Sequence, residues 1–226
     1  MRHRYAMALA AAASLVLIVT PAVASAAGNT TTPTPTASTP AVQWESQAGS
    51  GAISNNNLAP GQTRKATWTQ GPETVTVTVT RLTPDQMTSL ENKGEIPLAT
   101  GGGGGECQGW ADTVGIDVSY NGPVGSYYWE GQAYWSYSCS TPTVVYATNP
   151  QVIDASAIYP YAFVSSPSAS ISGNGTDMPS LFTSAIVGLQ APGLGYLCQG
   201  EAWGQLTYDL ITGLFEPIWS SAACPS

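Results

Sequence analysis

Four cysteines are the most reactive side chains in this sequence, and two of them open the same tripeptide, in "CQGWAD" from Cys107 and "CQGEAW" from Cys198. Neither lies in a Cys-X-X-Cys spacing, so the pair does not read as a redox or zinc motif. An even cysteine count in an exported chain points to disulfides, and four cysteines allow three connectivities. Turn chemistry chooses among them. Pairing Cys107 with Cys139 centres a hairpin on "NGPVG", residues 121–125, and pairing Cys198 with Cys224 centres one on "DLITG", residues 209–213. Both centres are strong turn sequences, and Gly213 is placed to take a positive φ. Each closure is worth about 3.5 kcal/mol in the chain-entropy picture.

The carboxylates come next, because paired acids can hydrolyse glycosides or share a proton as acid proteases do. In the register set by Cys107 opposite Cys139, Asp117 and Glu130 are almost opposite but point to different faces. Asp112 and Glu130 share a face about 13 Å apart. Glu201 and Glu216 again split between faces, so no dyad forms within either hairpin. No catalytic residue is assigned on this basis. The stretch "VGID", residues 114–117, near Trp110 resembles the glutamic peptidases, secreted β-sandwich enzymes that use a glutamine and a glutamate. That likeness spans four residues, with no counterpart of the family's later catalytic-glutamate motif, and it is not carried further.

The same register sets Tyr127, Trp129, Trp135 and Tyr137 in a row over small residues of the preceding strand. A planar aromatic row suits a polysaccharide, whose C–H faces stack on rings; burial against a second sheet accounts for the same row. The opposite face, with Trp110, Val114, Ile116, Val118, Tyr120, Tyr128 and Tyr134, reads as the core side.

Composition narrows the chemistry further. Residues 1–26 carry the pattern of a secretory signal: Arg2, His3 and Arg4, then an apolar run, then Ala24-Ser25-Ala26. The run is too short to span a bilayer, and no lipidation site or hydrophobic tail accompanies it, which predicts export without a membrane anchor. The signal contains the sole histidine. What remains cannot run Ser-His-Asp or Cys-His catalysis, lacks the commonest zinc ligand, and implies neither metal nor cofactor. Four basic residues against fourteen acidic ones leave a net charge near −10 and no phosphate-binding patch, which excludes nucleic acid.

The elements that must position these groups are mostly strands. Residues 27–41 read as an extended Thr/Pro linker. Within residues 42–100, "TVTVTVT" at 74–80 alternates strictly, so Val75, Val77 and Val79 face one way and the threonines the other. A single threonine ladder is too few to organise ice. A helix follows: Thr83 caps it, Pro84 starts it, Gln86 completes a capping box and Gly94 ends it. Glycines 101–105 read as a hinge, and residues 106–226 as the disulfide-bearing β domain. There "SLFTSAIVGL", residues 180–189, reads as strand or short helix, and Pro217 predicts a bulge or an edge strand. The chain is therefore expected to be a mainly β protein, an antiparallel β-sandwich or barrel-like domain with two disulfide-clamped hairpins and one short N-terminal helix. The functional expectation is a secreted, non-enzymatic module binding cell-wall or extracellular polysaccharide. The alternatives are a structural or surface-protein-binding domain and an acid-acting carboxylate hydrolase.

Overall fold

The computed structural model describes residues 45–97, 109–137 and 144–223. The signal, the Thr/Pro linker, glycines 101–105, Cys107, Cys139 and Cys224 lie outside the described residues. The described part is mainly β, in two antiparallel sheets with one short helix.

The five-stranded sheet runs β3 (Thr63–Gln70), β4 (Glu73–Arg81), β5 (Trp110–Gly122), β6 (Gly125–Tyr137), β7 (Val145–Ile158) in simple sequence order. The second sheet is built on β12 (Leu214–Ala223), β11 (Gly195–Asp209) and β10 (Ser180–Ala191). On its β12 side it is extended by β1 (Glu45–Ser50) and β2 (Ile53–Ser54). On its β10 side it is extended by β8 (Tyr161–Phe163) and β9 (Ser168–Ser172). β4 pairs along its length with β5, so the strands before and after the glycine run share one sheet.

Period-two alternation decides which side chains meet between the sheets. Val75, Val77 and Val79 are fully buried, with Val114, Ile116 and Val118 of β5 beside them. Across the gap lie Leu181, Val187, Leu206, Tyr208, Phe215 and Trp219. The sheets approach closely where side chains are missing: a Cβ on Gly131 would overlap Thr183 Cγ2, and one on Gly204 would sit 2.7 Å from Val118 Cγ2. At that approach Trp129 Nε1 donates to Thr183 Oγ1 at 3.2 Å, one of few polar links across the core.

The helix α1 (Pro84–Lys93) forms as its sequence requires. Thr83 Oγ1 accepts from the Gln86 amide at 3.3 Å, Gln86 Oε1 accepts from the Thr83 amide at 2.9 Å, and Gly94 closes the last turn at φ 72°. Leu82, Leu90 and Ile96 pack with Ala111, Met87 and Tyr134, so the helix covers one end of the outer face of the five-stranded sheet.

Both long hairpins are one residue away from the register that the cysteine pairing assumed. Trp110 faces Tyr137, Asp117 faces Glu130 and Gly122 faces Gly125, which leaves Pro123-Val124 as a two-residue turn in place of a five-residue loop. A one-residue slip exchanges partners between faces. The assumed register splits the largest apolar groups, with Tyr127, Trp129 and Trp135 on one face and Val114, Ile116 and Val118 on the other. The observed one brings these together on the inner face and turns Tyr128 and Tyr134, expected on the core side, to the outer face; the burial gained by the larger set decides. In the second hairpin Trp203 faces Ser220, not Trp219, and Thr207 faces Glu216, not Phe215; residues 210–213 make the turn, with Gly213 at φ 66° as expected.

Residues 180–189 are strand. No bulge occurs at Pro217, which faces Leu206 in regular register inside an interior strand. The N–H and C=O of a residue in an antiparallel ladder point to the same side, and the Pro217 carbonyl accepts from the Gly51 amide at 3.1 Å. The missing N–H thus faces the break between β1 and β2, where no ladder partner waits. Cys198 is disulfide-bonded.

Candidate functional site

The aromatic row singled out from the sequence does not form a platform. Tyr127, Trp129 and Trp135 are buried in the inter-sheet core, and Tyr137 is half-buried with Trp110 stacked on it at 5.8 Å and 12°. Trp135 meets Phe215 edge-on at 5.4 Å, and Tyr127 stacks on Tyr120 at 5.2 Å. The register shift is the cause: it puts β6 odd-numbered residues on the valine face of β5, where rings gain most by leaving water.

The same shift creates a carboxyl pair where none was expected. Asp117 and Glu130 are direct cross-strand partners on the outer face of the five-stranded sheet, joined by a side-chain hydrogen bond. Glu130 leans over Gly115, whose missing side chain gives it room. The row continues across the sheet as Thr67, Thr76, Asp117, Glu130 and Asp154. Desolvation pushes the Asp117 carboxyl up, opposed by the Lys65 charge. Glu130 is pushed up by desolvation and then by the Asp117 charge. Tyr128 donates its hydroxyl to the Asp154 carboxylate, and that bond leads the causes that raise the phenol to about 12. Such a pair can hold one proton between two oxygens, the arrangement acid–base chemistry uses.

Asp112 has a different role. Its carboxylate is fully buried, with Arg81 Nε at 2.5 Å on one oxygen and Asn55 Nδ2 at 2.8 Å on the other. Burial raises its pKa, offset by Arg81 and then Asn55. The Arg81 guanidinium lies 5.0 Å over the Trp110 ring and also reaches the Asn55 carbonyl at 3.3 Å. Because Asn55 follows β2 while Arg81 and Asp112 belong to β4 and β5, this cluster bolts the two sheets together.

The outer face of the other sheet holds what the sequence reading missed. Phe182 and Trp203 stack there at 6.0 Å and 28°, both half-buried. They are diagonal neighbours, since Phe182 pairs with Gln205 and Ser184 with Trp203. Small polar groups surround the rings: Ser170 beside Phe182, Ser180 Oγ at 2.8 Å from Thr207 Oγ1, and Gln205 Nε2 donating to Thr207 Oγ1 at 3.3 Å. Ile186 and Ile218 are exposed nearby.

No family model, no curated protein and no solved structure matches the chain. Among the described residues no group of three or more His, Cys, Asp or Glu side chains is gathered for a metal, and no helix is long and apolar enough to cross a membrane.

Proposed function

We propose that the protein is an exported, non-enzymatic module that binds an extracellular or cell-wall polysaccharide, with Phe182 and Trp203 as its platform. The observation that carries this reading is the partly exposed ring stack on a sheet face that also presents serine, threonine and glutamine. Rings offer faces for sugar C–H groups, and the neighbouring hydroxyls and amide suit sugar hydroxyls. The N-terminal signal pattern supports export. Affinity electrophoresis in gels containing soluble neutral polysaccharides tests it: migration is retarded in at least one polymer, and Trp203→Ala and Phe182→Ala remove the retardation. Unchanged mobility of the parent protein in every polymer overturns it.

A second reading, an acid-acting hydrolase, is favoured by one observation, the hydrogen-bonded Asp117 and Glu130 pair. It requires turnover of some glycan or protein substrate between pH 2 and 6 that Glu130→Gln abolishes. A purely structural or protein-binding role predicts neither retardation nor turnover. We also propose the clamps Cys107–Cys139 and Cys198–Cys224. Peptide mapping under non-reducing conditions checks them, and a Cys107–Cys198 link refutes them.

A further inference from the structure

Apart from Arg2 and Arg4 at the N-terminus, the cations of this chain are confined to one part of it. Residues 94–226 contain no lysine or arginine, against ten aspartates and glutamates, and Arg64, Lys65, Arg81 and Lys93 all belong to β3, β4 and α1. The sheet that carries the Phe182 and Trp203 stack is thus free of basic side chains. Two of the ten carboxylates flank the stack. Glu201 lies two residues before Trp203 on the same face of β11, and Glu216 faces Thr207 from β12. Both are exposed. Arg64 and Arg81 are engaged by the Ser54 carbonyl and by Asp112.

Taken with the rings, this charge pattern selects among polysaccharides. An anionic polymer would be repelled, a neutral one would use the rings and the neighbouring hydroxyls, and one with protonated amines would use the carboxylates as well. We infer that the platform takes an amino-sugar polymer with free, protonated amines, Phe182 and Trp203 stacking on the sugar faces while Glu201 and Glu216 receive ammonium groups. The inference rests on the platform reading above and names its ligand class. Glu201 and the Thr207 position opposite Glu216 are six residues apart along β11, roughly 20 Å at the usual strand rise. A single sugar cannot reach both carboxylates, so a chain of several units is required.

A pair of polymers that differ only in charge tests this: β-1,4-linked N-acetylglucosamine polymer, and the same polymer after deacetylation. Retention of the full mature chain on each is measured at pH 5.5, at low and high salt. The expected result is retention on both, roughly fivefold tighter on the deacetylated form at low salt, the size two exposed charge pairs supply. The doubly substituted Glu201→Gln, Glu216→Gln protein loses that difference and keeps its hold on the acetylated polymer. Trp203→Ala weakens both. Equal retention on the two polymers overturns the inference and leaves the platform standing; retention on neither, nor on any neutral polymer, removes the platform as well. Binding to the deacetylated form that survives Trp203→Ala, or that soluble poly-lysine displaces equally well, would mark a surface for cationic protein segments and also overturns the inference.

Discussion

At the scale of single residues, the side chains that matter most to stability are those whose partners cannot be replaced by water. Asp112 is one, since removing Arg81 would strand a fully buried carboxylate with only Asn55 to hold it. Arg81→Met is expected to cost about 3–5 kcal/mol, the usual penalty of breaking a buried pair from one side. Chemical denaturation of both proteins measures it; a loss below about 1 kcal/mol would mean that water reaches the carboxylate. Gly131 is another. Its backbone meets Thr183 of the opposite sheet at a distance no Cβ can share, and Thr183 cannot retreat without breaking its bond to the Trp129 indole. Gly131→Ala therefore overpacks the core and is expected to destabilise by about 1–3 kcal/mol. Gly94→Ala provides a contrast, because its cost comes from the positive φ and not from crowding: nothing lies within 4 Å of that Cβ position.

At the scale of elements, α1 is held by its caps and a small apolar contact, with Leu90 its only buried residue. Thr83→Ala should lower stability by about 1 kcal/mol, through loss of the hydroxyl that accepts from the Gln86 amide. Far-ultraviolet dichroism with thermal melting follows both the helix and the fold. An unchanged midpoint would mean that packing of Leu82, Leu90 and Ile96 alone suffices. This helix and β4 were legible because their signals are local: cap, proline, glycine and strict alternation all fall within a dozen residues. The hairpin registers were not, because "NGPVG" accommodates a five-residue loop or the observed two-residue turn equally well. What separates them is burial of β6 rings against a sheet formed by residues far along the chain. The Phe182 and Trp203 stack was illegible for the same reason. Residues 182 and 203 become neighbours only once β10 and β11 pair, and the sequence reading had no register there and misplaced Trp203 against Trp219.

At the scale of the whole molecule, acid predominates and, among the described residues, cations are gathered on one sheet and its helix, so pH must act unevenly on stability. Asp117 and Glu130 both have folded-state pKa values raised by burial, and Glu130 is raised further by its neighbour's charge. An acid whose folded pKa lies above its unfolded value binds its proton more tightly when folded. Its contribution is complete below the unfolded pKa, near 4, and is lost as pH rises through the folded value. These two groups therefore make the fold more stable at pH 4 than at pH 7. Asp209 works the other way, because the Ile211 amide and then the Thr212 hydroxyl lower its pKa; its contribution is present at neutral pH and fades on acidification. Glu130→Gln removes the like-charge contact, worth about 0.2–1 kcal/mol between directly opposed strand residues. It should leave stability at pH 4 nearly unchanged and raise it at pH 7. Net charge alone would push in the same direction, since any lost carboxylate relieves general repulsion. Asp177→Asn, at an exposed site away from the pair, removes the same charge and separates the two causes. Thermal midpoints at both pH values decide: equal flattening by the two substitutions would assign the effect to net charge, whereas flattening by Glu130→Gln alone locates it in the pair.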